Sequence, residues 1–128
     1  MLKGTCHCGA VTVTLPRAPE TLTNCNCSIC RRYGALWAYY SESEVGIAAP
    51  RGRGAPQAYA WGEHRLDFMR CGHCGCVTHW RLGAEARAEL PAGKAARVGV
   101  NARLFDPLLL GSVKIRRLDG ADTWAEFD

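Results

Sequence analysis

The chain has 128 residues, of which 48% are hydrophobic and 22% are charged, and its formal net charge is +4. This length and composition predict a single globular domain over residues 1–128 with an apolar core. No apolar run approaches the roughly 18 residues that a membrane span needs, and no secretory signal opens the chain, so we expect a cytoplasmic protein without a membrane partner. The modest positive charge is typical of a solvated surface.

The chain is predicted to begin with a turn and a strand. Cys6 and Cys8 lie on a glycine-flanked turn, and residues 10–15 alternate apolar side chains with threonine, which is typical of a half-buried strand. Residues 21–24 then lead into residues 25–30, a C-x-C-x-x-C stretch. The first 30 residues therefore carry five of the eight cysteines.

Short strands and turns are predicted to follow. Residues 31–34 form a short turn or a single helical turn closed by glycine. Aromatic and apolar runs predict strands over residues 35–40 and 45–48. Residues 50–56 are rich in proline and glycine, which predicts a loop.

The second half of the chain repeats this pattern around a further group of cysteines. Residues 71–76 read Cys-Gly-His-Cys-Gly-Cys between two strands, the form of a zinc knuckle. Residues 84–89 form a loop or helical turn, residues 108–111 form a short apolar turn, and Trp124 and Phe127 are expected to pack back onto the sheet. Strands are predicted over residues 57–61, 65–70, 77–81 and 113–116. Residues 97–106 are predicted to start as a strand and to end in a polar segment.

Eight cysteines need a reason in a chain without a secretion signal. A reducing compartment disfavours disulfides and favours metal or redox chemistry. Cys6 and Cys8 together with Cys71 and Cys74 supply four thiolates, which is the ligand set of a closed tetrahedral zinc site that contributes to folding. The alternative is that these are buried free cysteines. Cys76 is interpreted as a core residue, with metal binding as the alternative.

Cys25, Cys27 and Cys30 then form a second zinc site that is one ligand short. A thiol or water fits the fourth position, since zinc accepts sulfur and lowers the pKa of what it binds. One alternative is redox exchange, but C-x-x-C redox chemistry usually sits at a helix N-terminus in an α/β fold, which is not predicted here. Another is that a fourth protein ligand closes the site, the candidates being His64, His73, His79 and Cys76.

Several motifs occur in a fixed order along nearly the whole chain. They are Gly4-x-Cys6-x-Cys8-Gly9-x-Val11, Cys25-Asn26-Cys27-Ser28-x-Cys30-Arg31, Cys71-x-x-Cys74-Gly75, Val100-Asn101-x-Arg103, and Asp119-Gly120 with Trp124. In this set the sequence resembles the glutathione-dependent formaldehyde-activating enzyme family, also called the centromere-protein-V/GFA domain. The resemblance implies a mainly β, Mss4-like antiparallel fold organised around zinc, with little helix. One departure is Cys76, where the family often has a small hydroxyl residue.

The resemblance also implies a function. It assigns the four-cysteine set to a structural zinc and the three-cysteine set to a zinc at which glutathione binds, giving two zinc ions per chain. The implied activity is that of a carbon–sulfur lyase, read in reverse: glutathione adds to formaldehyde and gives S-(hydroxymethyl)glutathione. The alternative is a non-catalytic zinc-thiolate binding module, either a glutathione carrier or a protein-interaction domain.

The remaining partner predictions rest on charged and polar residues. The carboxylates of glutathione need cations, and the candidates are Arg31, Arg32 and Arg103, for each of which surface solvation or structural pairing is the alternative. Asn101 is expected to order a turn. Nucleic-acid binding is not supported, because the chain has no basic run with interleaved aromatic residues. The oligomeric state is left open.

Overall fold

The computed structural model describes residues 1–127, and this part of the chain is mainly β, as the sequence predicts. The helices are short: α1 (Ser28–Tyr33), α2 (Ala84–Ala88) and α3 (Pro107–Leu110), with 3-10 turns at Glu42–Glu44 and Ala102–Leu104. The strands are β1 (Leu2–Thr5), β2 (Thr12–Leu15), β3 (Thr21–Cys25), β4 (Trp37–Ser41), β5 (Gly46–Ala48), β6 (Gln57–Tyr59), β7 (Leu66–Arg70), β8 (Val77–Leu82), β9 (Arg97–Asn101), β10 (Lys114–Leu118) and β11 (Glu126–Phe127).

The strands form two sheets. The smaller sheet has three antiparallel strands in the order β1-β2-β5. The larger sheet has eight strands in the order β11-β10-β3-β4-β9-β8-β7-β6, and within it β10 pairs with β3 in parallel. Among residues 1–127, no helix is both long and apolar enough to cross a membrane.

The main apolar core brings residues of both sheets together. The alternation predicted for the first strand is present, since Val13 and Leu15 are buried while Thr12 and Thr14 are half-buried. They pack in one cluster with Leu22 of β3 and with Val98 and Val100 of β9. Burial of each such side chain contributes about 1.5–3 kcal/mol. This core fixes the two sheets beside each other and leaves the cysteines in two smaller clusters at its margins.

Three strands were not predicted from the sequence, namely β1, β3 and β11. Each is short, and its residues carry little strand pattern of their own, so that pairing with neighbouring strands determines its conformation. β3 lies inside the larger sheet between β10 and β4, and β1 pairs with β2 over its whole length. The expectation for Trp124 is wrong, since this residue is 67% exposed, whereas Phe127 does join the sheet edge in β11.

Candidate metal sites and the cavity beside them

Four cysteines from two distant turns come together at one point. Cys6 and Cys8 lie between β1 and β2, Cys71 and Cys74 lie between β7 and β8, and all four sulfur atoms are within 4.8 Å of one another. The Sγ of Cys8 is 3.6 Å from the Sγ of Cys6 and 3.6 Å from that of Cys71. Four sulfurs bound to zinc at about 2.3 Å in a tetrahedron would lie about 3.8 Å apart. The residues of this four-cysteine site therefore fit a zinc ion.

Backbone groups of the two turns support the sulfurs. The N–H of Val11 donates to the Sγ of Cys6 over 3.3 Å, and that of His73 donates to the Sγ of Cys71 over 3.4 Å. Gly9 and Gly75 adopt φ angles of 81° and 77°, which favour glycine and turn the chain back over each cysteine pair. Such N–H donors stabilise thiolates.

The sulfurs of the four-cysteine site do not ionise independently of one another. Backbone N–H groups, first that of Cys76, lower the pKa of Cys74 to about 5. At Cys8 the N–H of Ala10 acts in the same direction, but desolvation and the sulfurs of Cys71 and Cys6 outweigh it and raise the pKa to about 11. One thiolate thus opposes the ionisation of the next, and a bound divalent cation would remove this conflict.

The three-cysteine site forms where β3 ends and α1 begins. The sulfurs of Cys25, Cys27 and Cys30 all lie within 4.8 Å of one another. Among residues 1–127, no fourth cysteine, histidine or carboxylate joins this group. The alternative in which His64, His73, His79 or Cys76 closes the site is therefore not supported, and the three soft sulfurs fit a zinc ion that keeps one position free.

These candidate fourth ligands lie elsewhere. His79 is buried on β8, with its Nδ1 2.9 Å from the hydroxyl of Thr78, and it lines another cavity beside Glu42. Cys76 is half-buried and packs against Cys6 and Cys71 at the margin of the fold, so it is only partly a core residue.

A helix begins inside the three-cysteine stretch, which the sequence did not predict. Cys27 is the N-cap residue of α1, and its Sγ accepts the N–H of Cys30 over 3.4 Å. Burial raises the pKa of Cys27, but the hydrogen bonds from the N–H and thiol of Cys30 outweigh burial, and the net shift is downward. The C-x-x-C therefore does sit at a helix N-terminus, although the fold around it is not α/β.

A buried tryptophan makes a further contact with the three-cysteine site. The indole Nε1 of Trp37 donates to the Sγ of Cys30 over 3.3 Å. Burial is the main cause that raises the pKa of Cys30 and of Cys25, which favours their neutral forms unless a cation lies beside them. A buried donor aimed at a sulfur offsets part of that cost.

The turn after β10 braces the site from the other side. Asn26 donates from its Nδ2 to the Oδ1 of Asp119 over 3.0 Å, and its own Oδ1 accepts the N–H of Ala121 over 3.0 Å. Gly120 follows, and a Cβ at this position would overlap the Sγ of Cys25. Sequence reasoning assigned no role to Asn26 or to Gly120, although both stand in the motifs that carry the family resemblance.

The three-cysteine site opens into a cavity of about 480 Å³, called here the aromatic cavity. Its floor is buried and its rim is open, since Trp37 is 1% exposed whereas Trp61 is 46% exposed. Charged residues in the lining are Glu63 and Arg65, and Arg65 also forms an ion pair with Glu89 at 2.7 Å. The aromatic residues of the lining are Trp37, Tyr39, Trp61, Phe68, Trp80 and Trp124.

The arginines predicted to contact glutathione do not line the aromatic cavity. Arg32 and Arg103 line a separate groove together with Arg70, and Arg31 is exposed on α1. Arg103 donates from its Nε to the carbonyl of Gly34 over 2.6 Å, and Arg32 donates to a carbonyl of its own helix.

Asn101 has the role predicted for it. Its Oδ1 accepts the N–H of Arg103 over 3.2 Å, and its Nδ2 donates to the carbonyl of Val77 over 2.9 Å. The side chain thus begins the 3-10 turn that follows β9 and ties that turn to β8. We conclude that Asn101 is structural.

Comparisons with known proteins agree with this geometry. The sequence model of a family described as "Glutathione-dependent formaldehyde-activating enzyme" matches residues 1–104, which include both cysteine sites but end before Asp119 and Gly120. No curated protein matches the chain. The fold is similar to the crystal structure of a Rhodobacter sphaeroides protein from a structural-genomics programme, at 28% identity and a TM-score of 0.65, covering 89% of this chain and 99% of that one.

Proposed function

The chain belongs to the glutathione-dependent formaldehyde-activating enzyme family, and we propose that it joins the thiol of glutathione to a small aldehyde such as formaldehyde. In the proposal, Cys25, Cys27 and Cys30 hold the zinc ion of the reaction. The observation that carries it is the contrast in ligand number: a three-cysteine site lies beside a cavity, while a separate set of four cysteines forms its own site. Three protein ligands are typical of a zinc site that reacts, and four of one that is structural.

The reaction is an addition that needs neither an oxidant nor a reductant. The sulfur–carbon bond forms, the carbonyl double bond becomes a single bond, and the proton that leaves sulfur ends on oxygen. Zinc, when bound, supplies a position at which a thiol loses its proton near neutral pH. Read in reverse, the same step cleaves a carbon–sulfur bond, which defines a lyase.

The protein's own part is to hold the sulfurs and to shield them. Trp37 and the first turn of α1 donate hydrogen bonds to the cysteine sulfurs, and Gly120 lets the bracing turn approach Cys25 closely. The apolar walls of the aromatic cavity exclude water from the reacting atoms, which favours orientation and strengthens the electrostatic interactions inside.

The four-cysteine site is proposed to hold a structural zinc, giving two zinc ions per chain. This site links the β1–β2 turn to the β7–β8 turn, so that it ties the smaller sheet to the larger one. In a chain of 128 residues such a link contributes directly to folding. A reducing compartment such as the cytoplasm is the location that suits both sites.

In the proposed complex, the peptide part of glutathione extends out of the aromatic cavity. Arg31, Arg32 and Arg103 remain the candidate cations for its carboxylates, and they lie outside the cavity lining. The tripeptide would therefore reach them only with its peptide groups beyond the rim, while its sulfur stays at the three-cysteine site.

A non-catalytic thiol carrier is the second candidate function. One observation favours it: within the described residues, the cavity lining contains no histidine, and its carboxylate, Glu63, is exposed. A carrier needs no group that transfers a proton, whereas catalysis of the addition is normally aided by one.

Exchange NMR separates the two functions. Formaldehyde and glutathione form their adduct without help, so the rate of interconversion is measured with substoichiometric zinc-loaded protein. Catalysis predicts faster exchange with the wild type and with Cys76→Ser, a matched change of a cysteine outside the three-cysteine site, but not with Cys27→Ser. An exchange rate that wild-type protein leaves unchanged, with formaldehyde and with larger aldehydes alike, would contradict the enzyme and leave the carrier.

A further inference from the structure

We propose that the aldehyde accepted at the three-cysteine site carries an aromatic or similarly bulky apolar group. This inference rests on the proposed function and names the substrate class of the same site. It starts from the walls of the aromatic cavity, which enclose about 480 Å³ and contain six aromatic side chains. Formaldehyde has two non-hydrogen atoms and would leave most of these walls without a contact.

The aromatic walls are arranged to receive a ring. The rings of Trp37 and Phe68 meet near the floor with centroids 6.2 Å apart and an angle of 48°, and those of Tyr39 and Trp80 meet at 5.8 Å and 54°. Tilted pairs of this kind present both faces and edges to a third ring, which aromatic groups prefer. Leu66 adds an apolar contact to the same lining.

The charged residues in the lining disfavour glutathione as the molecule that fills the aromatic cavity. Glutathione has two carboxylates, but the lining offers one cation, Arg65, which is already paired with Glu89, and one exposed anion, Glu63. An exposed carboxylate at the rim repels a carboxylate that enters. If glutathione supplies the thiol and its polar body lies outside, the aldehyde is the partner left to fill the apolar space.

The exposure of the lining residues indicates where a substrate would enter the aromatic cavity. Trp61 and Trp124 are 46% and 67% exposed at the rim, while Phe68 is 4% exposed near the floor. Exposed tryptophans at the mouth of an apolar cavity cover a bound apolar group without being needed for the core. Trp61 is therefore the residue to change, because its substitution leaves the buried packing intact.

The test compares aldehydes of different size with zinc-loaded protein and glutathione. We expect kcat/KM for phenylacetaldehyde to exceed that for formaldehyde by at least about tenfold, since even one methylene in an apolar cavity is worth about that much. Trp61→Lys should reduce this preference by about tenfold, whereas Leu108→Lys, which changes an exposed leucine outside the lining, should keep it.

A binding readout accompanies the kinetics. The unreactive probe 2-phenylethanol should receive saturation transfer from the protein's aromatic protons in the wild type and in Leu108→Lys, and much less in Trp61→Lys. Equal transfer in all three proteins, or none in the wild type, would overturn the proposal.

The failure of this inference differs from failure of the proposed function. Acceleration with formaldehyde but not with phenylacetaldehyde overturns the inference and leaves the function standing. Acceleration with neither aldehyde overturns the function, and the substrate class with it. Faster exchange of benzyl mercaptan with formaldehyde than of glutathione with phenylacetaldehyde would place the ring on the thiol, which also overturns the inference.

Discussion

The two cysteine sites use the same ligand atom in different surroundings. In the four-cysteine site, the sulfurs lie on two turns between neighbouring strands, and the packing around them is small, with Val11 as its buried apolar residue. In the three-cysteine site, the sulfurs border a larger apolar cluster that includes Trp37 and Phe68, and they open into the aromatic cavity.

The comparison shows that the number of sulfurs in each site corresponds to its surroundings: the site with fewer sulfurs is the one beside a cavity. Four sulfurs are enough to complete a tetrahedral zinc site, so the four-cysteine group has no need of a cavity. The site with three sulfurs has a cavity, a buried N–H donor from Trp37 and a separate brace from Asn26 and Asp119. Such support around ligands is typical of a site that must hold its geometry while a substrate exchanges.

The largest effect is expected from breaking the four-cysteine site. Cys71→Ser removes one of the four sulfurs that bring the two sheets together, and zinc binding of about 10–16 kcal/mol in comparable sites exceeds much of a domain's stability of about 5–15 kcal/mol. We expect loss of dispersed amide signals in the NMR spectrum. Cys76→Ser is the matched control and should stay folded. A folded Cys71→Ser protein would show that this site is not the structural one.

Acid should destabilise the fold through His79, a buried histidine of β8 that lies outside both cysteine sites. Burial, and next the charge of Arg81, lower the pKa of His79 to about 4. Above pH of about 6.5 the ring is neutral in both the folded and unfolded states, and below it only the unfolded state takes up the proton. Stability is therefore lost as the pH falls from about 6.5 to about 4, by about 3 kcal/mol in total.

Urea unfolding at a series of pH values measures this loss. His79→Gln should show a flatter dependence on pH than the wild type over this range. Loss of zinc in acid affects both proteins alike, so the difference between them isolates the histidine. Parallel curves would mean that His79 takes up its proton equally readily in the folded and unfolded states, against the lowered pKa.

A methyl group at Gly120 should disturb the three-cysteine site alone. In Gly120→Ala the new Cβ overlaps the Sγ of Cys25, so that the turn or the sulfur must move. Overpacking of this kind costs about 1–3 kcal/mol, and displacing a group that supports a ligand lowers metal affinity by about 10–100-fold. Competition with a chelator measures the affinity of each zinc.

The control for this change is Gly111→Ala. At that position the nearest atom to a new Cβ, the carbonyl oxygen of Leu108, lies at 3.8 Å, an ordinary contact. Equal zinc affinity in the two variants would show that the turn at Gly120 does not support the three-cysteine site.

The smallest effect is expected outside the cavity. If Arg32 and Arg103 bind the carboxylates of glutathione, the double change to methionine should raise KM for glutathione by about fivefold, because exposed charge pairs contribute about 1 kcal/mol or less. KM for the uncharged thiol 2-mercaptoethanol should not change. Arg51→Met, in an exposed loop, is the control. An equal rise for both thiols would mean that these arginines act on structure.

The sequence predicted the division of the cysteines because it depends on short spacings, and it predicted most strands from alternation. Helix α1 and its N-cap, Cys27, could not be predicted from the sequence. A six-residue helix has no periodic pattern, and cysteine is not a usual N-cap residue. The contact between Asn26 and Asp119 spans 93 positions and depends on the parallel pairing of β3 with β10. Such non-local pairing is set by the whole fold.

The aromatic residues that form the walls of the cavity could not be predicted for the same reason. Its walls come from separate parts of the chain, with Trp37 on β4, Phe68 on β7 and Trp80 on β8. Each of these residues alone reads as an ordinary strand residue. Trp124 was expected against the sheet but lies at the rim, with a φ of 60° in the turn after β10.

The central claim is that the three-cysteine site holds a zinc with a place for a thiol, while the four-cysteine site is complete. Native mass spectrometry of zinc-loaded protein with glutathione tests it directly. The account predicts two zinc ions and one glutathione on the wild type, as the two groups of sulfurs imply. Folded Cys27→Ser should retain one zinc and no glutathione. One zinc on the wild type, or equal glutathione on Cys27→Ser, would contradict the claim.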